Sequence, residues 1–227
     1  MTQECHLRLD LDLDEAFGRR LHPDAAIVQE DRNLVMGGVG ILDLDSNDSL
    51  DAAYQAIAEH RPVPLGRYLL LRNRPGEDHW TYQAVVHDLE EKPSSRPGNV
   101  RRSLTAILKD AGKRGMTNLT VQPLGIWRGR GLAVDEMVEA FEASVLEVSL
   151  ELQVPLRLTL LLDDLEALEE VSHLLRSRLL RKASRSFRTV DNDSALVEVR
   201  QRGAKLHCRF VPGSLSGYVV TCVERVG

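Results

Sequence analysis

The stretch DAAIVQEDRNLVMGGVG, residues 24–40, sets the reading of this chain. Its apolar run Ala25-Ala26-Ile27-Val28 fits a buried strand. The polar tetrapeptide Gln29-Glu30-Asp31-Arg32 follows, then a short apolar step and the glycines Gly37, Gly38 and Gly40. Glycines placed after a strand let the backbone approach a phosphate closely and present N–H groups to it. The residues in front of them are partly acidic, which suits an anionic ligand badly. The same glycines also fit a turn needed only for packing.

Outward from this stretch, strand and helix patterns alternate. HLRLDLDLD (6–14) places Leu7, Leu9, Leu11 and Leu13 on one strand face, with Asp10, Asp12 and Asp14 on the other, expected to face solvent. SLDAAYQAIAEH (49–60) has helical spacing and stops before the breakers RPVP. LGRYLLLRN (65–73) and HWTYQAVVHD (79–88) read as strands joined by a turn. Helices are expected over 99–115, 132–152 and 165–182, and strands over 117–125 and 155–164. In the second helix, Val134, Val138, Phe141, Val145 and Leu146 form the inward face. The alternation predicts an α/β fold, a mixed and mostly parallel sheet with helices on both faces.

Past residue 190 the pattern becomes a β-meander. SALVEVRQ, AKLHCRFV and GYVVTCVERV alternate, separated by RG and PGSLSG. The expected organisation is therefore a domain over 1–182, an unpatterned linker over 183–193 and a small antiparallel β appendage over 194–227. Leu196, Leu206, Cys208, Phe210, Val220 and Cys222 form its expected apolar face. About 34 residues are too few to bury a core alone, so this face must dock on the body or pair with a second copy in a homodimer.

Composition bounds the function. With 227 residues and 43% hydrophobic content, the chain suffices for one large domain plus an appendage. There is no apolar run of about 18 residues, so no membrane span is expected. The amino terminus, MTQECHLRLDLDLDE, lacks the apolar core of a secretory signal. Cys5, Cys208 and Cys222 are scattered, which reads as free thiols of a cytoplasmic protein. Residues 172–227 carry 11 Lys/Arg against 4 Asp/Glu, whereas the rest is acidic. Six of those cations lie in 176–188 with no carboxylate, either a cationic helix end or a contact for nucleic-acid phosphates.

Four motifs in order resemble the macro domain, the ADP-ribose-binding module. QEDR stands where that family has an Asn-Ala-Ala-Asn-like tetrapeptide, four residues before its glycine cluster. Val86-His87 ends the second of two paired strands, as an Ile-His-like step does in the family. Gly125, Ile126 and Trp127 match the second phosphate loop, and PLRLTLLLDDLEALEEVSHLL matches the last strand and helix. The resemblance covers roughly residues 5–180. It implies a macro-like three-layer α/β/α sandwich whose ligand is ADP-ribose or a related nucleotide, contacted by Asp14 (or Asp12), Arg32, Gly37, Gly38, Gly40, Gly125, Ile126 and Trp127.

The departures bear on chemistry. Arg32 replaces an amide expected near the distal ribose, and a guanidinium donates hydrogen bonds without accepting any. Hydrolysis is therefore expected to be weak or lost. One alternative is an ADP-ribosyl hydrolase that uses an acid such as Asp31. Another is a scaffold with an empty cleft that binds protein or nucleic acid. Arg32 is also suited simply to pairing with Glu30 and Asp31. No cofactor is called for. Asp43, Asp45, Asn47 and Asp51 approach calcium-loop spacing, but Asp48 and Tyr54 occupy positions that such a loop gives to Gly and Glu, so no metal is expected. His87 is read as a hydrogen-bonded core histidine.

Overall fold

A computed structural model describes residues 7–13, 23–36, 61–72, 80–188, 195–201, 204–212 and 218–226. In chain order the elements are β1 (Leu7–Leu13), β2 (Ala25–Asp31), β3 (Arg67–Arg72), β4 (Trp80–His87), α1 (Pro97–Lys113), β5 (Asn118–Val121), α2 (Val134–Val148), β6 (Leu156–Leu162), α3 (Leu165–Lys182), β7 (Ala183–Arg188), β8 (Ala195–Gln201), β9 (Ala204–Pro212) and β10 (Tyr218–Val226). The helix expected over 49–60 lies outside the described residues, as do Asp14, Gly37, Gly38, Gly40 and the aspartates of the calcium-like segment.

The strands form one mixed sheet in the order β3-β4-β2-β5-β6-β1-β10-β9-β8-β7. The five strands β4, β2, β5, β6 and β1 run parallel, so their carboxyl ends share one edge. β3 flanks them antiparallel on one side and β10 on the other. The helices between parallel strands start and stop on local chemistry. α1 has Pro at its start and ends before Gly115, whose φ is +74°. Asp164 caps α3 by accepting from Ala167 N at 2.8 Å, and Arg181 and Lys182 close its last turn. Their apolar faces meet the sheet in a core that includes Leu9, Ile27, Tyr82, Leu104, Phe141 and Leu158.

The C-terminal strands continue this sheet. β10 pairs with β1, and Val197, Val199, Leu206 and Cys208 belong to the same core as the parallel strands. Two expectations need correcting. The first half of the supposed linker is strand β7, which pairs with β8 directly after α3. The inward face of β8 is also in the other phase. Val197 and Val199 are buried and pair with Cys208 and Leu206, whereas Leu196 pairs with Arg209.

A third correction concerns Asp10. It is 5% exposed, not solvent-facing, because β6 and β10 make β1 an interior strand. Arg8 reaches its carboxylate at 2.8 Å, and Arg157 from β6 reaches the other oxygen. A second buried charge, Glu142 on α2, is held by Arg178 at 3.0 Å and Lys182 at 2.9 Å from α3. Arg178 also reaches Glu139 at 2.9 Å. Two cations of the basic run are thus turned onto the body.

Candidate functional site

The carboxyl edge of the parallel strands collects the polar residues read from the sequence. Gln29 projects from the end of β2 and bridges two other segments. Its Nε2 donates to Ile126 O at 3.0 Å, and its Oε1 accepts from Gly125 N at 3.0 Å. The same oxygen stands 2.9 Å from His87 Nε2 at the end of β4. Since that oxygen accepts, the contact places a proton on Nε2. On the other side of the ring, Nδ1 lies 3.1 Å from Ser94 Oγ. Burial pushes the His87 pKa down to about 4, opposed only by the charge of Asp31. At neutral pH His87 is therefore an uncharged strut.

Glu30 and Asp31, buried at 1% and 0% exposure, tie down the chain that leaves β2. Asp31 accepts from Asn33 N through one oxygen and from Val35 N, at 2.9 Å, through the other. Glu30 Oε1 accepts from Asp31 N at 2.9 Å and Met36 N at 2.7 Å. Arg32 does not pair with them. Its Nη1 meets Asp88 Oδ2 at 2.8 Å, and that hydrogen bond holds the Asp88 carboxyl below its ordinary pKa. The physical reason is sequence-local. Both oxygens of Asp31 and Oε1 of Glu30 already accept from backbone donors one to six residues away, and the guanidinium meets the carboxylate after β4.

The second loop, 122–133, follows β5. Gly125 has φ +86° and is enclosed: a Cβ there would stand 2.8 Å from Leu132 Cδ1 and 2.9 Å from Val100 Cγ2. Its N–H belongs to Gln29, so packing explains this glycine. Arg128 and Gly129 also take positive φ, 43° and 69°. Among the described residues, none accepts from the backbone N–H groups of Ile126, Trp127, Arg128 and Gly129. Arg128 and Gly129 thus form the tip of a tight turn, closed by Arg130 N donating to Trp127 O at 2.8 Å. Trp127 is half-buried, its ring 6.2 Å from that of His87, and Arg128 lies 5.6 Å from its centre on the cation–π side.

Beside this loop a cavity of about 370 Å³ opens at the ends of β2, β5 and β6. Ile126, Met137, Leu161 and Val171 give it an apolar lining, while Gln29, Gln122, Asp163 and Glu170 add polar groups. A larger hollow of about 460 Å³ lies at the opposite, amino end, near Asp24 and Trp80. There the Asp24 carboxylate is already used by Thr117 and Asn118, and the strand ends nearby are amino ends. The carboxyl edge is the better site, because ligand crevices of parallel sheets lie beyond those ends.

Superposition on solved structures decides the architecture. A point mutant of the Oceanobacillus iheyensis macrodomain matches with a TM-score of 0.60 at 11% identity, covering 80% of this chain and 98% of that one. The chain has the macrodomain fold. Another point mutant of the same macrodomain, solved with ADPR, gives 0.59 at 10% identity over 80% and 99% of the two chains. The macro domain of ganglioside induced differentiation associated protein 2 gives 0.53 at 11% over 74% and 84%. No protein-family model and no curated protein matches the sequence.

Within the macrodomain fold, Ile126 and Trp127 stand on the cleft-forming loop, Ile126 lining the cavity, and Arg32 stands aside on Asp88. Sequence reading missed the fastening role of Gln29 and the presence of Asp163 and Glu170 in the cavity wall. It also missed the capping by Asp31, although Asp followed two residues later by a loop N–H is a readable turn signature. Among the described residues, no three His, Cys, Asp or Glu side chains gather to hold a metal ion, and no helix is long and apolar enough to cross a membrane.

Proposed function

We propose that this chain binds ADP-ribose or a related nucleotide at the carboxyl edge of its sheet, with hydrolysis weak or lost. The observation that carries the reading is the set of N–H groups at 126–129, which have no acceptor among the described residues, on the loop that lends Ile126 to the wall of the 370 Å³ cavity. One suits a phosphate, the other an apolar ring. A macrodomain of the same fold was solved with ADPR bound, which supports the ligand class.

Hydrolysis needs a group free to orient or deprotonate water. Asp31 is the acid nearest the expected position, yet both its oxygens hold backbone N–H groups and it is fully buried. Arg32 accepts no hydrogen bond and is committed to Asp88. A nucleic-acid surface on the basic tail is less favoured, since Arg178 and Lys182 face Glu139 and Glu142.

Titration calorimetry with ADP-ribose, ADP and AMP tests the reading. Saturable binding is expected, weakened at least tenfold by Ile126→Glu, which sets a carboxylate in the cavity wall. Release of ADP-ribose from a modified protein is expected to stay at background. Absence of heat with every nucleotide at millimolar concentration would remove the proposal.

A further inference from the structure

The 370 Å³ cavity at the ends of β2, β5 and β6 carries charge of one sign. Its wall is apolar at Ile126, Met137, Leu161 and Val171, and its charged members among the described residues, Asp163 and Glu170, are both acidic. Both are exposed, and neither makes an ion pair or a side-chain hydrogen bond among the described residues. The start of α3 does not account for Asp163, because its neighbour Asp164 is the residue that caps the helix. Gln29 is committed to the second loop and to His87. The Gln122 side chain, also in the wall, both donates and accepts, so it sets no preference. What gives this wall a fixed character is a pair of carboxylates, which only accept.

Resting on the nucleotide-binding reading above, we propose that Asp163 and Glu170 make this cavity selective for a purine that carries an exocyclic amino group. The flat body of the ring lies against Ile126, Met137 and Leu161. An amino group on its edge brings two hydrogens to carboxylates that have no other partner. An oxo group in the same place would set one acceptor against another. The phosphate of the ligand is kept out of the cavity, since like charges repel more strongly where less water separates them, and it stays with the N–H groups of the second loop. Adenine and guanine both meet the requirement, through different edges. Hypoxanthine, the same ring system without an amino group, does not. A site whose acceptors are left unpaired by an analogue discriminates against it. Water reaches both carboxylates here, so the discrimination is several-fold.

The test is a calorimetric comparison of AMP, GMP and IMP on the full chain at one ionic strength, with wild type and the Asp163→Asn/Glu170→Gln variant. Both positions are exposed and hold no other side chain in place, so the variant is expected to fold and melt like wild type. Wild type should bind AMP or GMP at least fivefold more tightly than IMP, and whichever of the two is tighter tells which ring edge meets the carboxylates. The variant should bring IMP to within about twofold of the tighter ligand, because an amide can also donate to the oxo group. IMP binding wild type as tightly as both AMP and GMP overturns the selectivity and leaves the nucleotide reading standing, as does an unchanged ratio in the variant. Binding of none of the three overturns both.

Discussion

Gln29 Oε1 and His87 Nε2 stand 2.9 Å apart, joining the ends of two neighbouring parallel strands whose residues are 58 positions apart in sequence. Through its other contacts the same amide holds Gly125 and Ile126. One side chain thus sets the second loop against the strand ends. Gln29→Ala removes three hydrogen bonds and leaves a buried ring nitrogen without its acceptor, at a cost of about 3 kcal/mol. Chemical denaturation should show this loss, and nucleotide affinity should fall with it. A variant as stable as wild type would show that the loop is held by packing alone.

Acid should destabilise the protein through His87. Its folded pKa of about 4 lies below the ordinary 6.5. Between these values the unfolded chain binds a proton that the folded one does not, so stability falls as the pH drops through 6.5 toward 4. At pH 5 this amounts to about 2 kcal/mol relative to pH 7.5. Denaturant midpoints at the two pH values measure it, and replacing His87 with Gln should flatten that part of the profile. A wild-type curve without this slope would contradict the buried neutral imidazole.

The charges between α2 and α3 should respond unequally. Arg178→Met leaves Glu142, 1% exposed in its side chain, with Lys182 as its one remaining ion-pair partner among the described residues, at a cost of about 3 kcal/mol. Glu142→Met leaves Arg178 with Glu139, while Lys182, 43% exposed, can turn to water. That change should cost clearly less. Paired urea titrations decide the order, and the reverse ranking would refute it.

Two glycines of the second loop separate packing from backbone strain. At Gly125 an added Cβ meets Leu132 and Val100 within 3 Å on a left-handed backbone, so Gly125→Ala should cost about 3 kcal/mol. At Gly129 the φ is +69° but nothing lies within 4 Å, so Gly129→Ala should cost only about 1 kcal/mol. Equal melting temperatures for the two variants would go against this account.

Much of the architecture was legible because it rests on local periodicity. The apolar run before Gln29, the inward face of α2 and the PLRLTLLLDD strand each carry their burial pattern in adjacent residues. Where prediction failed, contacts between distant segments overrode it. Asp10 alternates like a surface residue, yet β10, more than 200 positions away in sequence, makes its strand interior. The phase of β8 followed the core it met under α3, since Leu196 and Val197 are equally apolar by composition.

By itself, the sequence determined the order and kind of the described elements apart from β7, and the place of the loop after β5, because strand and helix periods are properties of neighbouring residues. Only the tertiary structure decided what the polar tetrapeptide does. Gln29, Glu30, Asp31 and Arg32 are consecutive, yet each takes different partners: a loop after β5, two stretches of nearby backbone, and Asp88 after β4. Hydrogen-bonding groups act on whatever lies within about 3 Å, and which groups come that close is set by how the strands pair, not by their order along the chain.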